Sequence, residues 1–201
     1  MQNKECRSMI QPLTIPSTTE KRMDSDYYVE GYATTFDTPY LLYEDNGTKY
    51  YEKIDRHALD EADMSDVLML YNHDGKPHAR TTNGTLGLEV DDTGLLTFAD
   101  LSKSRAAKDL HEEISSGLIT KMSWAFVVAN DSYDRSTHTR TIFKIKKVYD
   151  VSAVSYPANT DTTISARSYV DGILEMERKV KADRERRQKL LSLKIKLTTE
   201  E

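Results

Sequence analysis

The fold class is decided by three segments: MSWAFVVA at Met122–Ala129, TRTIFKIKKV at Thr139–Val148 and YDVSAVS at Tyr149–Ser155. All three are rich in aromatic, β-branched or alternating apolar residues, which is the composition and two-residue period of β-strands. We therefore predict three strands in this stretch, the last of them ended by Pro157.

Further strands are predicted upstream of these segments. Tyr27–Thr35 (YYVEGYATT) has strand composition with a glycine bend, and Val67–Tyr71 (VLMLY) is a compact apolar run typical of a buried strand. Gly87–Val90 and Gly94–Phe98 form a predicted hairpin, with Gly94 at a position suited to positive φ.

The clearest helix lies between these two groups of strands. Ser102–Ser116 carries apolar residues at helical spacing, Ser104 is a suitable N-cap, and Gly117 is a suitable stop. We also predict a short helix at His57–Met64, and a turn at Asn72–Pro77 because that segment is dense in turn-forming residues.

Strands outnumber helices and most connections are short, so the sequence predicts a mainly β fold with helices (α+β), an antiparallel barrel or sheet with a packed helix. From residue 171 the pattern changes to a long charged helix that contains KVKADRERRQK. Residues 172–201 carry a net charge of +3, whereas the rest of the chain carries −8. We therefore place one domain at residues 1–170 and a charged helical tail at 171–201.

Composition excludes several classes of protein. The 201 residues carry a net charge of −5, which disfavours a nucleic-acid binder. The sequence has no apolar run long enough for a transmembrane helix, and it shows no secretory signal. We therefore expect no membrane partner. Cys6 is the single cysteine, which excludes an internal disulfide and indicates a reducing compartment. The five histidines include no i,i+4 pair, so we predict neither a metal nor a cofactor.

Three residues are candidates for catalysis. His73 follows a predicted buried strand, and Ser123 lies at the start of an apolar strand. Asp150 lies directly before the strand segment 151–154 (VSAV). A serine is a useful nucleophile only beside a base, and a carboxylate can orient an imidazole. The alternatives are a loop histidine, an ordinary strand serine and an edge carboxylate, and residue type alone does not choose between these interpretations.

Several short motifs follow one another along most of the domain, from Tyr27 to Arg167. In chain order they are Gly31-Tyr32-Ala33, Phe36-Asp37, Asn72-His73-Asp74 with Arg80, Gly94-Leu95-Leu96, Gly117-Leu118-Ile119, Ser123-Trp124-Ala125-Phe126, and Asp150-Val151-Ser152 running into Pro157-Ala158-Asn159. This order resembles that of the prohead (capsid maturation) serine proteases of tailed bacteriophages. Ala125 stands where that family usually has glycine, and Asp150 where it commonly has glutamate.

The resemblance implies a serine endopeptidase with a fold similar to the herpesvirus assembly protease, a β-barrel surrounded by helices. In this interpretation Ser123 attacks the scissile carbonyl, His73 acts as general base and then acid, and Asp150 holds the histidine in the useful tautomer. For Arg80 we favour a structural ion pair over a role in catalysis.

The resemblance also implies partners and a location. The substrates would be the scaffold or delta region of the major capsid protein, the scaffold itself and the protease, all cleaved inside the procapsid in the bacterial cytoplasm. Relatives of this fold suggest self-association as a dimer or higher assembly. We hypothesise that the tail is a helix for incorporation into the shell or for pairing with scaffold helices, and that it is removed by self-cleavage; the alternative is a solvated terminal helix. The alternative function is a non-catalytic capsid-assembly or scaffold protein on the same fold.

Overall fold

The computed structural model describes residues 4–15, 21–155, 172, 175–176, 178–190 and 192, and the chain divides into two units, Met1–Thr163 and Ile164–Glu201. The described elements of the first unit are β1 (Glu5–Pro12), β2 (Tyr28–Thr35), β3 (Tyr40–Asp45), β4 (Thr48–Ile54), β5 (Leu68–Tyr71), β6 (Asp74–Arg80), a 3₁₀ turn (Thr81–Asn83), β7 (Leu86–Val90), β8 (Gly94–Asp100), α1 (Arg105–Ser115), β9 (Lys121–Asp134) and β10 (Thr139–Val154).

The long hairpin of β9 and β10 forms the centre of the larger sheet. The two strands pair antiparallel from Thr139 opposite Asp134 to Val154 opposite Lys121. The strands predicted at 139–148 and 149–155 are therefore one continuous strand. A register shift after Val148 marks the predicted boundary, and a β-bulge of this kind bends a strand without ending it.

The larger sheet is mixed rather than antiparallel. Its order is β1-β9-β10-β4-β3, and β5 pairs with both β10 and β6. The first part of β10 runs parallel to β4, and its last part runs parallel to β5, with Asp150 opposite Leu68. The predicted mainly β, α+β class is confirmed, but among the described residues the strands form two sheets and no closed barrel.

The smaller sheet has the order β2-β8-β7, and the predicted hairpin of β7 and β8 is confirmed. The role expected for Gly94 is wrong, because positive φ angles occur at other glycines and not at this one. A side chain here is excluded by space instead, since a Cβ on Gly94 would lie 2.0 Å from the carbonyl oxygen of Thr34. The glycine thus permits close approach of β2 to the start of β8.

The prediction for α1 is confirmed at both ends. The side chain of Ser104 accepts a hydrogen bond from the backbone N–H of Ala107, which is N-capping geometry. Ala107, Leu110 and Ile114 are buried. Gly117 follows with a φ of 76°, the left-handed conformation that ends many helices.

The helix predicted at His57–Met64 is wrong, because this segment forms consecutive turns. Its backbone pairs with β10 instead: the Ala58 carbonyl accepts from Ile145 N–H, and Asp63 forms a parallel bridge with Lys147. Carbonyls committed to a neighbouring strand cannot also support a helical ladder, so tertiary pairing overrides the local helical pattern.

In the second unit, the described residues 172, 175–176, 178–190 and 192 are helical and exposed. The other residues of the predicted tail helix, the boundary at 170/171 and the Pro157-Ala158-Asn159 motif lie outside the described residues, so the predictions for them stand as made. Across the part of the chain that is described, no helix combines the length and apolar character needed to cross a membrane.

Candidate active site

His73 lies at the tip of the two-residue hairpin that joins β5 to β6. Tyr71 pairs with Asp74 across the turn, and the two turn residues, Asn72 and His73, have φ angles of 50° and 62°. Asparagine and histidine tolerate this left-handed region better than most residues do, and two successive positive φ values match a type I′ turn. The backbone of His73 thus adopts a sparsely populated conformation, and such conformations are common at functional sites.

Side-chain and backbone bonds fix this hairpin tip to β10. The backbone N–H of Asn72 donates to the Ala153 carbonyl at 3.0 Å, and Oδ1 of Asn72 accepts from the Ser155 N–H at 3.2 Å. Because β5 runs parallel to this part of β10, the turn after β5 reaches the strand that carries Asp150.

The turn predicted at residues 72–77 is shorter than expected, because β6 already begins at Asp74. The segment contains Pro77, whose missing N–H excludes it from a central strand. β6 pairs only with β5 among the described strands, so it is an edge strand, where proline is accepted.

Neighbouring strands bring the other two candidates to the same place. In the β9–β10 pairing, Ser123 lies opposite Ser152 and Ala125 lies opposite Asp150. Side chains two residues apart on a strand share a face, so these four residues lie on one side of the sheet. Trp124 points to the opposite side, into the hydrophobic core.

The structure brings all three candidate residues into one hydrogen-bonded chain. Nε2 of His73 lies 2.6 Å from Oγ of Ser123, and Nδ1 of His73 lies 2.5 Å from Oδ1 of Asp150. The imidazole therefore bridges the hydroxyl and the carboxylate with both ring nitrogens. This is the arrangement in which a base can accept the proton of a serine hydroxyl while a carboxylate fixes its tautomer.

The carboxylate of Asp150 has three donors. Besides His73, the hydroxyl of Ser152 donates to Oδ1 at 2.9 Å, and Nζ of Lys4 donates to Oδ2 at 2.8 Å. Burial opposes ionisation, but the bonds from His73 and Lys4 outweigh it and lower the pKa of Asp150 below its usual value. An ionised Asp150 favours the tautomer with a proton on Nδ1, which leaves the lone pair of Nε2 for Ser123.

Ser123 has no exposed surface. Its Oγ lies 3.0 Å from the backbone carbonyl oxygen of Arg7 on β1, in addition to the contact with His73. A hydroxyl has one proton, so it donates either to the imidazole or to the carbonyl. The contact with Nε2 is the shorter one and is the bond that a base requires.

A buried ionic cluster anchors β1 beside Ser123. The carboxylate of Glu52, which is fully buried, accepts from Arg7 Nε at 2.5 Å and from Arg140 Nη1 at 3.0 Å. Tyr40 donates its hydroxyl to the same carboxylate, and Glu5 pairs with both arginines. Burial and the Glu52 charge raise the pKa of Tyr40, so its hydroxyl remains a donor. The cluster joins β1 to β3, β4 and β10.

Sequence reasoning did not find Lys4 or Arg7, and it recorded Ser152 only as part of a motif. Lys4 and Asp150 are 146 positions apart, and no local sequence pattern indicates that the beginning of the chain lies next to the site. Arg80 has the structural role that was favoured for it, since Nε and Nη2 both donate to Asp66 at 2.6 Å. Within the described residues, no group of three or more His, Cys, Asp or Glu side chains is arranged to hold a metal ion.

Comparison with known proteins covers most of the folded body. A family model described as caudovirus prohead serine protease matches residues 14–175. The prohead protease of Enterobacteria phage HK97 is 31% identical over 108 residues, which make up 53% of this chain and 47% of that protein. The chain therefore spans about half the length of the curated relative it matches. No solved structure matches the chain significantly.

Proposed function

The chain belongs to the family of caudovirus prohead serine proteases, as the motif order predicted, and from this membership we propose that it is an active serine endopeptidase of phage capsid maturation. The observation that carries the proposal is the continuous hydrogen-bonded chain from Ser123 through His73 to Asp150. The proposed nucleophile, base and orienting carboxylate each come from a different strand or turn, and the sheet holds them at hydrogen-bonding distance.

In the proposed mechanism, Nε2 of His73 accepts the hydroxyl proton as Oγ of Ser123 attacks the carbonyl carbon of the scissile peptide. The imidazolium that forms is stabilised by the Asp150 carboxylate, to which Nδ1–H already donates. His73 then gives its proton to the leaving amine, and an acyl-enzyme forms on Ser123. A water molecule, deprotonated by His73, hydrolyses the ester and restores the hydroxyl.

The shorter carboxylate at position 150 is compatible with these roles. A glutamate would reach one methylene further than Asp150, yet Oδ1 of Asp150 already contacts Nδ1 of His73 at 2.5 Å. The turn at Asn72 is bonded directly to β10, so the imidazole is held close to the strand. A close hairpin thus compensates for the shorter side chain.

The proposed substrates are the major capsid protein with its scaffold or delta region, and the protease itself, processed inside the procapsid in the host cell. Self-association is part of the same proposal. Family membership supports a role in capsid maturation, and the triad geometry supports peptide hydrolysis. The basic residues between 178 and 190 support the proposal that the tail recruits the enzyme into the shell.

The proposal is tested by expressing the chain together with the major capsid protein of the same phage and measuring the mass of the capsid protein. We expect the wild type to shorten the capsid protein and Ser123→Ala to leave it intact. Ser132→Ala is the matched control, because Ser132 is an exposed serine on the same strand. Equal processing by wild type and Ser123→Ala would refute the catalytic proposal. A capsid protein that stays intact with every variant would favour the non-catalytic alternative.

A further inference from the structure

Ser152 is a buried hydroxyl at the centre of the site that the proposed mechanism does not use. It follows Asp150 by two positions on β10, shares the face of the sheet with it, and lies opposite Ser123 on β9. Its side chain has no exposed surface. A buried hydroxyl is retained at little cost only where it has hydrogen-bond partners, and here both partners belong to the triad.

The proton of Ser152 has one acceptor in the site. Oγ lies 2.9 Å from Oδ1 of Asp150 and 3.3 Å from Nδ1 of His73. Because Nδ1 itself donates to Asp150, the hydroxyl of Ser152 must donate to the carboxylate and can only offer a lone pair to the imidazole. Oδ1 thus accepts two hydrogen bonds from two directions, which fix both its position and the plane of the carboxylate.

Lys4 contacts the other oxygen of the same carboxylate. Its Nζ lies 2.8 Å from Oδ2, but its side chain is 43% exposed, so solvent screens this pair. The terminal torsion of an aspartate is broad, and without Ser152 only the imidazole itself would hold the carboxylate against rotation toward Lys4. Ser152, on a central strand without solvent contact, is the donor that opposes this rotation.

We propose that Ser152 is a positioning residue of the triad, which holds Oδ1 of Asp150 toward His73 against the pull of Lys4 on Oδ2. The proposal rests on the proposed protease function. Without the hydroxyl, the carboxylate turns toward Lys4, the bond from Nδ1–H lengthens, and the imidazole loses its fixed orientation in front of Ser123.

The test compares Ser152→Ala, Lys4→Met and the double variant in two measurements. The first is the initial rate of capsid-protein processing, and the second is the proton NMR resonance of Nδ1–H, assigned by its absence in His73→Ala. A hydrogen bond to a charged group supports an expected loss of about 10- to 100-fold in rate for Ser152→Ala. We expect the Nδ1–H resonance to move upfield and to exchange faster with water.

The double variant separates positioning from a structural role. Because Lys4→Met removes the competing pull, we expect the loss of the Ser152 hydroxyl to lower the rate by a smaller factor in the Lys4→Met background than in the wild type. Thr97→Val is the control for loss of a buried hydroxyl, since Oγ1 of Thr97 has no partner among the described residues. It should leave both measurements unchanged.

Two results would overturn the inference. One is a Ser152→Ala rate within about twofold of wild type together with an unshifted resonance; the other is a loss from Ser152→Ala that is as large in the Lys4→Met background as in the wild type. The NMR measurement does not need activity. If the wild type proves inactive, the proposed function fails, and the resonance still shows whether Ser152 fixes the imidazole.

Discussion

At the residue scale, the account depends on a carboxylate that is ionised and held in place. Asp150 is buried, yet the hydrogen bonds and charges of His73 and Lys4 lower its pKa. An amide in its place has nearly the same shape but carries no charge and presents a donor to the imidazole.

We therefore expect Asp150→Asn to fold normally and to lower kcat for capsid-protein cleavage by about 10⁴-fold, because the amide favours the wrong tautomer of His73. The measurement is the processing rate, with circular dichroism to check the fold. Activity close to that of wild type would remove Asp150 from the proposed triad.

The turn residue before His73 allows a second prediction. Asn72→Ala places alanine at a φ of 50° and removes the side-chain bond to Ser155, so we expect a loss of about 1–2 kcal/mol in the free energy of unfolding. Activity should fall as well, because the hairpin tip positions the imidazole.

Asn46→Ala is the matched control, since Asn46 has a φ of 47° in the β3–β4 hairpin, away from the triad. It should lower stability through the same backbone strain and leave the processing rate unchanged. An equal fall in rate for both variants would show that activity follows stability rather than the position of His73.

At the element scale, β1 is held to the sheet by the charges around Glu52. Removing one partner from a buried ionic cluster leaves the remaining charges out of balance. We expect Glu52→Gln to lower the free energy of unfolding in urea by about 3 kcal/mol, because Arg7 and Arg140 stay buried and lose their fully buried anion, while Glu5 still pairs with both.

Glu61→Gln is the corresponding surface control. Glu61 pairs with Lys144 at 2.5 Å, but both side chains are exposed, so the change should stay below about 1 kcal/mol. Similar losses for the two variants would mean that the buried cluster contributes no more than a surface pair.

The position of β1 also predicts a movement during catalysis. β9 has β1 on one side and β10 on the other, and Ser123 is buried between them. A scissile carbonyl must approach Oγ to within about 3–3.5 Å. The backbone carbonyl oxygen of Arg7 on β1 lies 3.0 Å from Oγ of Ser123. We therefore expect β1 to shift when substrate binds.

A disulfide between the two strands tests this movement. Cys6 lies directly opposite Ala125, so Ala125→Cys places two cysteines at a cross-strand position where a bond can form. We expect the oxidised variant to be inactive and the reduced variant to cleave the capsid protein. Equal rates in both states would show that β1 need not move.

At the scale of the whole molecule, sequence reasoning succeeded where the signal is local. The β7–β8 hairpin, the cap of α1 and the strand segments of β9 and β10 follow from composition, period and turn chemistry. The parallel pairing of β10 with β4 and β5 is not visible in any short window, and it makes the larger sheet mixed where an antiparallel one was expected.

The candidate site also combines features that the sequence predicts with contacts that it does not. His73, Ser123 and Asp150 were selected by motif order, while the contacts of Lys4 and Arg7 join positions far apart in the chain. The helix at 57–64 failed for a related reason, because Ala58 and Asp63 bond to β10. Long-range pairing decides these features, and local propensity is too weak to oppose it.

The tail gives a prediction for the assembled particle. If residues 171–201 recruit the enzyme, a chain ending at Val170 should still cleave coexpressed capsid protein but should be depleted in purified procapsids. Quantitative mass spectrometry of the procapsids measures the copy number. Wild-type incorporation of the shortened chain would assign the tail no part in recruitment.

The central claim, that His73 activates Ser123 as a nucleophile, is tested most directly by covalent labelling. A fluorophosphonate probe is added during capsid-protein processing, and the modified residue is identified by peptide mass spectrometry. The account predicts an adduct on Ser123 that forms rapidly in the wild type and is lost in His73→Ala. An adduct on another serine, no adduct on Ser123, or equal labelling in His73→Ala would contradict it.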